Sequence, residues 1–197
     1  MEKLIKERIK ESIVAKQAIV SNSDMLDNIG KISKKIAKTI SNGGKLLICG
    51  NGGSASDSLH FAGEIVGRFQ QERRAWPAIV LNADVATMTA IANDYGYEEV
   101  FSRQTEGLMT NKDILIGFST SGNSKNVCQA MLKAKEIGGF TVGMLGGTGG
   151  QICKLADYSI VVPSKVTARI QESHIMIVHI ICEIVEKILI DNKLEEN

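Results

Sequence analysis

Four side chains in this sequence combine metal-binding with proton-moving chemistry: His60, Glu64, Gln171 and His179. The first two lie four positions apart in the segment CGNGGSASDSLHFAGE (49–64). At about 3.6 residues per helical turn such a pair shares one helix face and can address a common object. The second two lie in ARIQESHIMIVH (168–179), at the start of a long apolar stretch. Imidazole nitrogen, carboxylate and amide oxygen together suit a borderline divalent ion such as zinc. A His/Glu pair alone is ordinarily a surface contact; the glycine loop beside it and the second pair favour a site.

Helix geometry constrains this set. An unbroken helix would separate the Cα atoms of Gln171 and His179 by about 12 Å, so both grip one ion only with extended side chains. Either the helix begins near Gln171 or the two residues come from different subunits. His174, between them, is assigned to packing or to support of the ligands.

The elements that must hold these residues are legible from hydrophobic periodicity. Ile5, Ile9 and Ile13 repeat at four, and Ile29, Ile32, Ile36 and Ile40 at three and four, marking two amphipathic helices before Gly43-Gly44 stops the second. Short apolar runs then alternate with helical patterns: 45–50, 77–81, 113–118, 141–146 and 158–162. Bounded by Gly, Pro and Asp, they predict a doubly wound α/β fold, a five-stranded parallel sheet covered on both faces. The segment from about Thr167 to Ile190 is apolar nearly all round, which predicts a long buried helix with other subunits as part of its cover.

Ligands of open α/β sheets bind beyond the carboxyl ends of the strands, where helix N-termini offer free N–H groups. Two loops suit that task. Gly50 to Ser56 follows the first strand, and Ser119-Thr120-Ser121-Gly122-Asn123-Ser124 follows the third. Clustered hydroxyls with little local cation fit a small phosphate monoester better than a nucleotide carrying magnesium; the competing role for such residues is helix capping. A third cluster, Gly146 to Gly150, lacks comparable polar side chains and reads as a turn. The first loop also matches GxGxxA, but the strand after it ends at Leu81-Asn82 without the acid that grips a dinucleotide ribose, and no Walker lysine follows the glycines.

Composition narrows the class. The 197 residues suit one domain with a real core, and a net charge of +1 with interleaved lysines and acids leaves no nucleic-acid footprint. No apolar signal region and no stretch of roughly 18 or more uncharged apolar residues occurs, so the expected location is cytoplasmic, away from the membrane. Cys49, Cys128, Cys153 and Cys182 lie far apart, which predicts reduced thiols and neither a disulfide framework nor a cysteine zinc site.

The segments CGNGGSASDSLHFAGE, AIANDYGYEEVFSRQ (90–104), STSGNS and ARIQESH resemble the sugar isomerase (SIS) domain family, and within it the branch acting on sedoheptulose 7-phosphate. The resemblance covers essentially the whole chain and implies a single SIS domain over 1–197 with a helical extension over about 1–43. It implies a zinc site, one ion per subunit, at His60, Glu64, Gln171 and His179. Implied sugar-phosphate contacts are Asn51, Gly52, Gly53, Glu64, Asn93, Asp94, Ser119, Thr120, Ser121, Ser124 and Gln171, with Glu64 and His179 as the catalytic proton-transfer pair. The implied reaction converts sedoheptulose 7-phosphate to D-glycero-D-manno-heptose 7-phosphate through an enediol, early in bacterial heptose synthesis for lipopolysaccharide or capsule. A homotetramer with sites at subunit boundaries is also implied. The alternative is a non-catalytic SIS-fold regulator that binds a sugar phosphate or the replication initiator. That branch lacks counterparts of Glu64 and His179, which this chain has. Ala55, Ser56 and Ala168 depart from some members of the isomerase branch.

The enediol route needs a carbon base, a carbonyl polariser and an oxygen proton shuttle. Glu64 is the expected base and His179 the shuttle, with zinc as polariser. A carboxylate bound to the metal is a poorer base, so Glu64 binds weakly through one oxygen or the ion is structural and leaves during turnover.

Overall fold

Leu46, Leu47, Ile48 and Cys49 are all fully buried, as are Ile114, Leu115, Ile116 and Phe118, to within 1% exposure, and Gly117 between them is buried too. Successive residues of a strand point to opposite faces, so continuous burial requires cover on both sides of a sheet. The computed structural model, which describes residues 1–191, has that construction. Residues 192–197 of the expected single domain lie outside the described part.

Two helices, α1 (Glu2–Val20) and α2 (Ser23–Ser41), precede the sheet. Then β1 (Leu46–Cys49), α3 (Gly53–Val66), β2 (Ala78–Val80), α4 (Val85–Tyr95), a 3₁₀ turn (Tyr97–Glu99), α5 (Ser102–Leu108) and β3 (Ile114–Ser119) follow. The chain continues through α6 (Lys125–Ile137), β4 (Phe140–Gly146), α7 (Ile152–Leu155), β5 (Tyr158–Val162) and α8 (Thr167–Asp191). The strands are parallel in the order β2-β1-β3-β4-β5, the flavodoxin-like arrangement. At the start of β1 and β3, the buried Asp113 carboxylate accepts from Lys45 N and Nζ at 2.9 and 2.6 Å, aligning the two strands.

The core is two-sided. Leu46, Ile48, Ile114 and Ile116 pack with α2, α3 and α8, while Leu47, Cys49 and Leu115 face Phe101, Val127 and Met131. Burying each such side chain stabilises by about 1.5–3 kcal/mol, which is what holds α3 and α8 against the same sheet face.

The two N-terminal isoleucine stripes differ in fate. Ile29, Ile32, Ile36 and Ile40 are at most 5% exposed on α2, whereas Ile5, Ile9 and Ile13 on α1 remain 49–55% exposed. The same periodicity is satisfied by the core in one helix and left open by the chain in the other. The last helix is buried along Ile177, Val178, Ile181, Cys182, Val185 and Ile188, but Ile180 and Ile190 are exposed. Among the described residues, no helix is long and apolar enough to cross a membrane.

Candidate active site

The sheet order reverses between β1 and β3, because β1 leads outward to β2 and β3 leads the other way to β4. The loops after these two strands therefore flank the crevice where such folds take ligands. They are the glycine loop and the serine loop.

Gly52 starts α3 with φ of 56°, a left-handed conformation that glycine adopts without steric cost. Among the described residues no side chain caps this helix start, so the positive end of its dipole is open to an anion, while Ser54 N and Ala55 N donate to Asn51 O and Gly52 O at 3.0 Å. Gly53 permits a close approach: a Cβ there would lie 2.5 Å from the Gln171 amide nitrogen. In the serine loop the hydroxyls engage one another rather than capping α6, with Ser119 Oγ 2.8 Å from Ser124 Oγ and 3.5 Å from Ser121 Oγ. Thr120 is partly exposed beside them. The glycine turn after β4 supports this loop, since Ile152 N donates to Gly122 O at 2.9 Å and Gln151 N to Asn123 Oδ1 at 3.0 Å.

A residue the sequence reading passed over ties the two loops together. Asn126, 3% exposed, exchanges paired amide hydrogen bonds of 2.9 Å with Asn51, and Tyr97 Oη donates to the same Asn51 oxygen at 3.1 Å. The Asn51 side chain is therefore committed to loop architecture.

Helices α3 and α8 run side by side in the same direction, with Gln171 opposite Gly53 and His179 opposite His60. His60 Nε2 lies 3.0 Å from Glu64 Oε1 and 3.2 Å from His179 Nε2. One proton on His60 Nε2 can satisfy only one of these neighbours, whereas a cation among them satisfies all three. Tetrahedral ligands about 2.1 Å from an ion are about 3.4 Å apart, close to the spacing found here. His60, Glu64 and His179 offer ligand atoms within 4.8 Å of one another, so the donor set fits a divalent metal.

Gln171 stands apart from this trio. Helix α8 starts at Thr167, one turn before Gln171, and runs unbroken through both residues. The intervening rise of about 12 Å places the amide at the glycine loop and the imidazole at the trio. Asn93 and Asp94 lie exposed on α4, where Asn93 Nδ2 donates to Asp94 Oδ1 at 2.9 Å.

Other groups surround the trio. Phe69 stacks on the His179 ring, centroids 5.6 Å apart and planes at 25°. Asp57, one turn before His60, has an unpartnered buried Oδ2, and burial pushes its carboxyl up to about 6 against the opposing influence of His60. Behind Glu64, the nearly buried Arg73 donates to Glu64 O at 2.8 Å and to Glu186 Oε1 at 3.0 Å. Arg73 was hidden in a charged connector and Glu186 in an apolar helix; the one available signal was Glu186 lying seven residues after His179, on the same helix face. His174 is fully buried, bonded through Nε2 to Leu145 O at 2.9 Å and edge-on to Phe118, which makes it a packing residue.

A family model described as the SIS domain matches residues 11–146. The chain belongs to the SIS domain family. Among SIS relatives, the phosphoheptose isomerase of Sulfurimonas denitrificans is 49% identical over 187 residues, covering 95% of this chain and 96% of that protein. The phosphoheptose isomerase of Clostridium acetobutylicum is 46% identical over the full length of both. The solved phosphoheptose isomerase structure from Francisella tularensis superposes with a TM-score of 0.90 at 35% identity, covering 94% of this chain and 97% of that one. This SIS domain thus shares its length and its whole architecture with those isomerases.

Proposed function

We propose that this chain is a ketose/aldose isomerase that converts sedoheptulose 7-phosphate to D-glycero-D-manno-heptose 7-phosphate. The observation that carries the reading is the convergence of His60, Glu64 and His179 on one point, on helices that bracket an uncapped glycine loop. Near-complete coverage of phosphoheptose isomerases at close to half identity supports the choice of sugar.

The phosphate sits between the start of α3 and the hydroxyls of Ser119, Thr120, Ser121 and Ser124, with Gln171 at the edge of the glycine loop. Backbone N–H groups and hydroxyls together neutralise a monoester without a local cation. Glu64 removes a proton from C1 as His179 delivers one to the carbonyl oxygen on C2, forming the enediol. Glu64 then returns a proton to C2 while His179 accepts the proton of the C1 hydroxyl, leaving the aldehyde with no net change in protons. A divalent ion, taken to be zinc, supplies a Lewis acid for the carbonyl or the adjacent hydroxyl when bound. His60 and His179 would hold it, with Glu64 through one oxygen. Gln171 joins as a fourth ligand only by extending from the loop or from a neighbouring subunit. Asn93 and Asp94 serve as further sugar contacts.

The working assembly is a homotetramer in the cytoplasm, feeding heptose precursors of surface polysaccharide, with the single domain spanning the chain. The open isoleucine face of α1 supports subunit association. Incubation of purified protein with sedoheptulose 7-phosphate, beside fructose 6-phosphate and with or without chelator, tests the assignment. Metal-dependent aldose formation from the heptulose alone is expected. Unchanged sedoheptulose 7-phosphate with zinc supplied would refute it.

A further inference from the structure

We infer that Arg73 and Glu186 form a positioning clamp that sets the relative placement of Glu64 and His179. This deepens the isomerase reading and rests on it. The pair lies behind the site, with side chains 5% and 2% exposed.

Arg73 closes the end of α3. Its Nη2 donates to Glu64 O at 2.8 Å, and Nη1 donates to Ile65 O at 3.0 Å and Gly67 O at 3.4 Å. A cation gripping the last carbonyls of a helix satisfies acceptors that have no helical partner and matches the negative dipole end. The guanidinium carbon lies over the Trp76 ring, 3.6 Å from its centroid, so the fork has little freedom. The backbone that carries Glu64 is thereby fixed from behind.

Glu186 does the corresponding work for α8. One carboxylate oxygen accepts from Phe69 N at 2.9 Å and from Arg73 Nε at 3.0 Å, and the other accepts from Gln70 N at 2.9 Å and Gln71 N at 3.0 Å. Three successive backbone N–H groups wrapped on one carboxylate fix the course of the chain after α3, and with it the place of Phe69. Phe69 in turn lies over the His179 ring. Glu186 stands seven residues after His179 on one helix, so the anchor and the imidazole move as a rigid unit. A closed path results: Glu64 backbone to Arg73, Arg73 to Glu186, Glu186 to the backbone of Phe69, and the Phe69 ring to His179. An apolar pair of similar volume could fill this space, but it could not hold three N–H groups and the carbonyls of Glu64, Ile65 and Gly67 in register. Proton transfer depends on sub-ångström placement of both partners, which gives such a path a catalytic consequence.

The test reads the His179 ring itself. The chain has three histidines, so their ring signals in a ¹H–¹³C correlation spectrum are assigned by single substitutions. Spectra of the full-length protein are compared for wild type, Phe69→Leu, Phe69→Tyr, Glu186→Gln and Arg73→Lys, before and after zinc addition. Phe69→Leu removes the ring current and shifts His179. The clamp requires that Glu186→Gln shift His179 in the same direction while His174 stays in place, and that Phe69→Tyr restore the wild-type position. In turnover, Glu186→Gln and Phe69→Leu lower kcat by about 10- to 100-fold with KM within about twofold, and Phe69→Tyr recovers most of it. If Glu186→Gln does not fold, Arg73→Lys, which keeps the charge but loses the fork, carries the same expectations. A His179 signal unmoved in the folded clamp variants overturns the inference, as does unchanged kcat in Phe69→Leu. Wild-type protein inactive on the heptulose sinks the isomerase reading alone, because the ring signals still report whether the clamp places His179.

Discussion

His60 Nε2 and His179 Nε2, on separate helices, face each other across 3.2 Å. Two imidazolium rings could not share that spacing, and two neutral rings share it with one hydrogen between them. Glu64 completes the set from the next turn of α3.

Metal content follows from this geometry. Purified protein is expected to hold about one divalent ion per chain, and replacing either histidine with asparagine is expected to lower zinc affinity by at least about tenfold, as measured by competition with a chromophoric chelator. Full retention of zinc in both variants would remove the trio as its site.

Loss of the base proposed above should act on rate rather than binding. Glu64→Gln is expected to lower kcat by about 10²- to 10⁴-fold with KM little changed. A circular dichroism spectrum matching wild type confirms that the fold persists. Near-normal kcat would assign the base elsewhere.

Asn126 predicts a different signature. Its paired amide bonds to Asn51 hold the glycine loop to the start of α6, and its alanine variant leaves the Asn51 amide without that partner. The cost is about 1–3 kcal/mol of stability, with KM for the sugar phosphate raised several-fold and kcat largely retained. Chemical denaturation and steady-state kinetics read the two effects separately.

His174 sets an acid limit on stability. Burial pulls its imidazole down to about 4 from an ordinary value of 6.5, opposed by its bond to Leu145. The folded state therefore binds fewer protons than the unfolded chain between those values. Stability is fully present above about 6.5 and is lost as pH falls towards 4, by on the order of 3 kcal/mol in total. His174→Gln, which keeps a donor for Leu145 O, should flatten the part of the pH profile between 4 and 6.5 in urea unfolding. An identical slope in wild type and variant would show that other groups govern it.

The α1 stripe predicts dependence on assembly. Ile9→Glu places a charge on an apolar face that the chain leaves open. Sedimentation velocity should show wild type as a tetramer and the variant as smaller species. An unchanged distribution would mean that α1 does not make the contact.

Much of the site was readable because its signals are local. The i, i+4 spacing of His60 and Glu64 and the Gly and Ser runs after β1 and β3 need only helix and turn geometry to interpret. Arg73, Glu186, Phe69 and Asn126 were not readable in this way. Glu186 looks like one polar residue in an apolar helix until three N–H groups from 115 to 117 positions away are found on its carboxylate. Asn126 resembles a helix-start residue until its amide meets Asn51, 75 positions earlier.

The sequence by itself determined the element order, the parallel sheet, the loops at its carboxyl end and the residue types able to move protons. These follow from periodicity and backbone propensity, which act over a few residues. Only the tertiary structure decided that α3 and α8 run together so that His60 and Glu64 meet His179, while Gln171 is left at the glycine loop. It also decided which isoleucine stripe is covered: α2 packs on the sheet and α1 keeps an open face. Such outcomes depend on the packing of distant segments into one core, and no local pattern encodes which of two equivalent apolar faces will find cover.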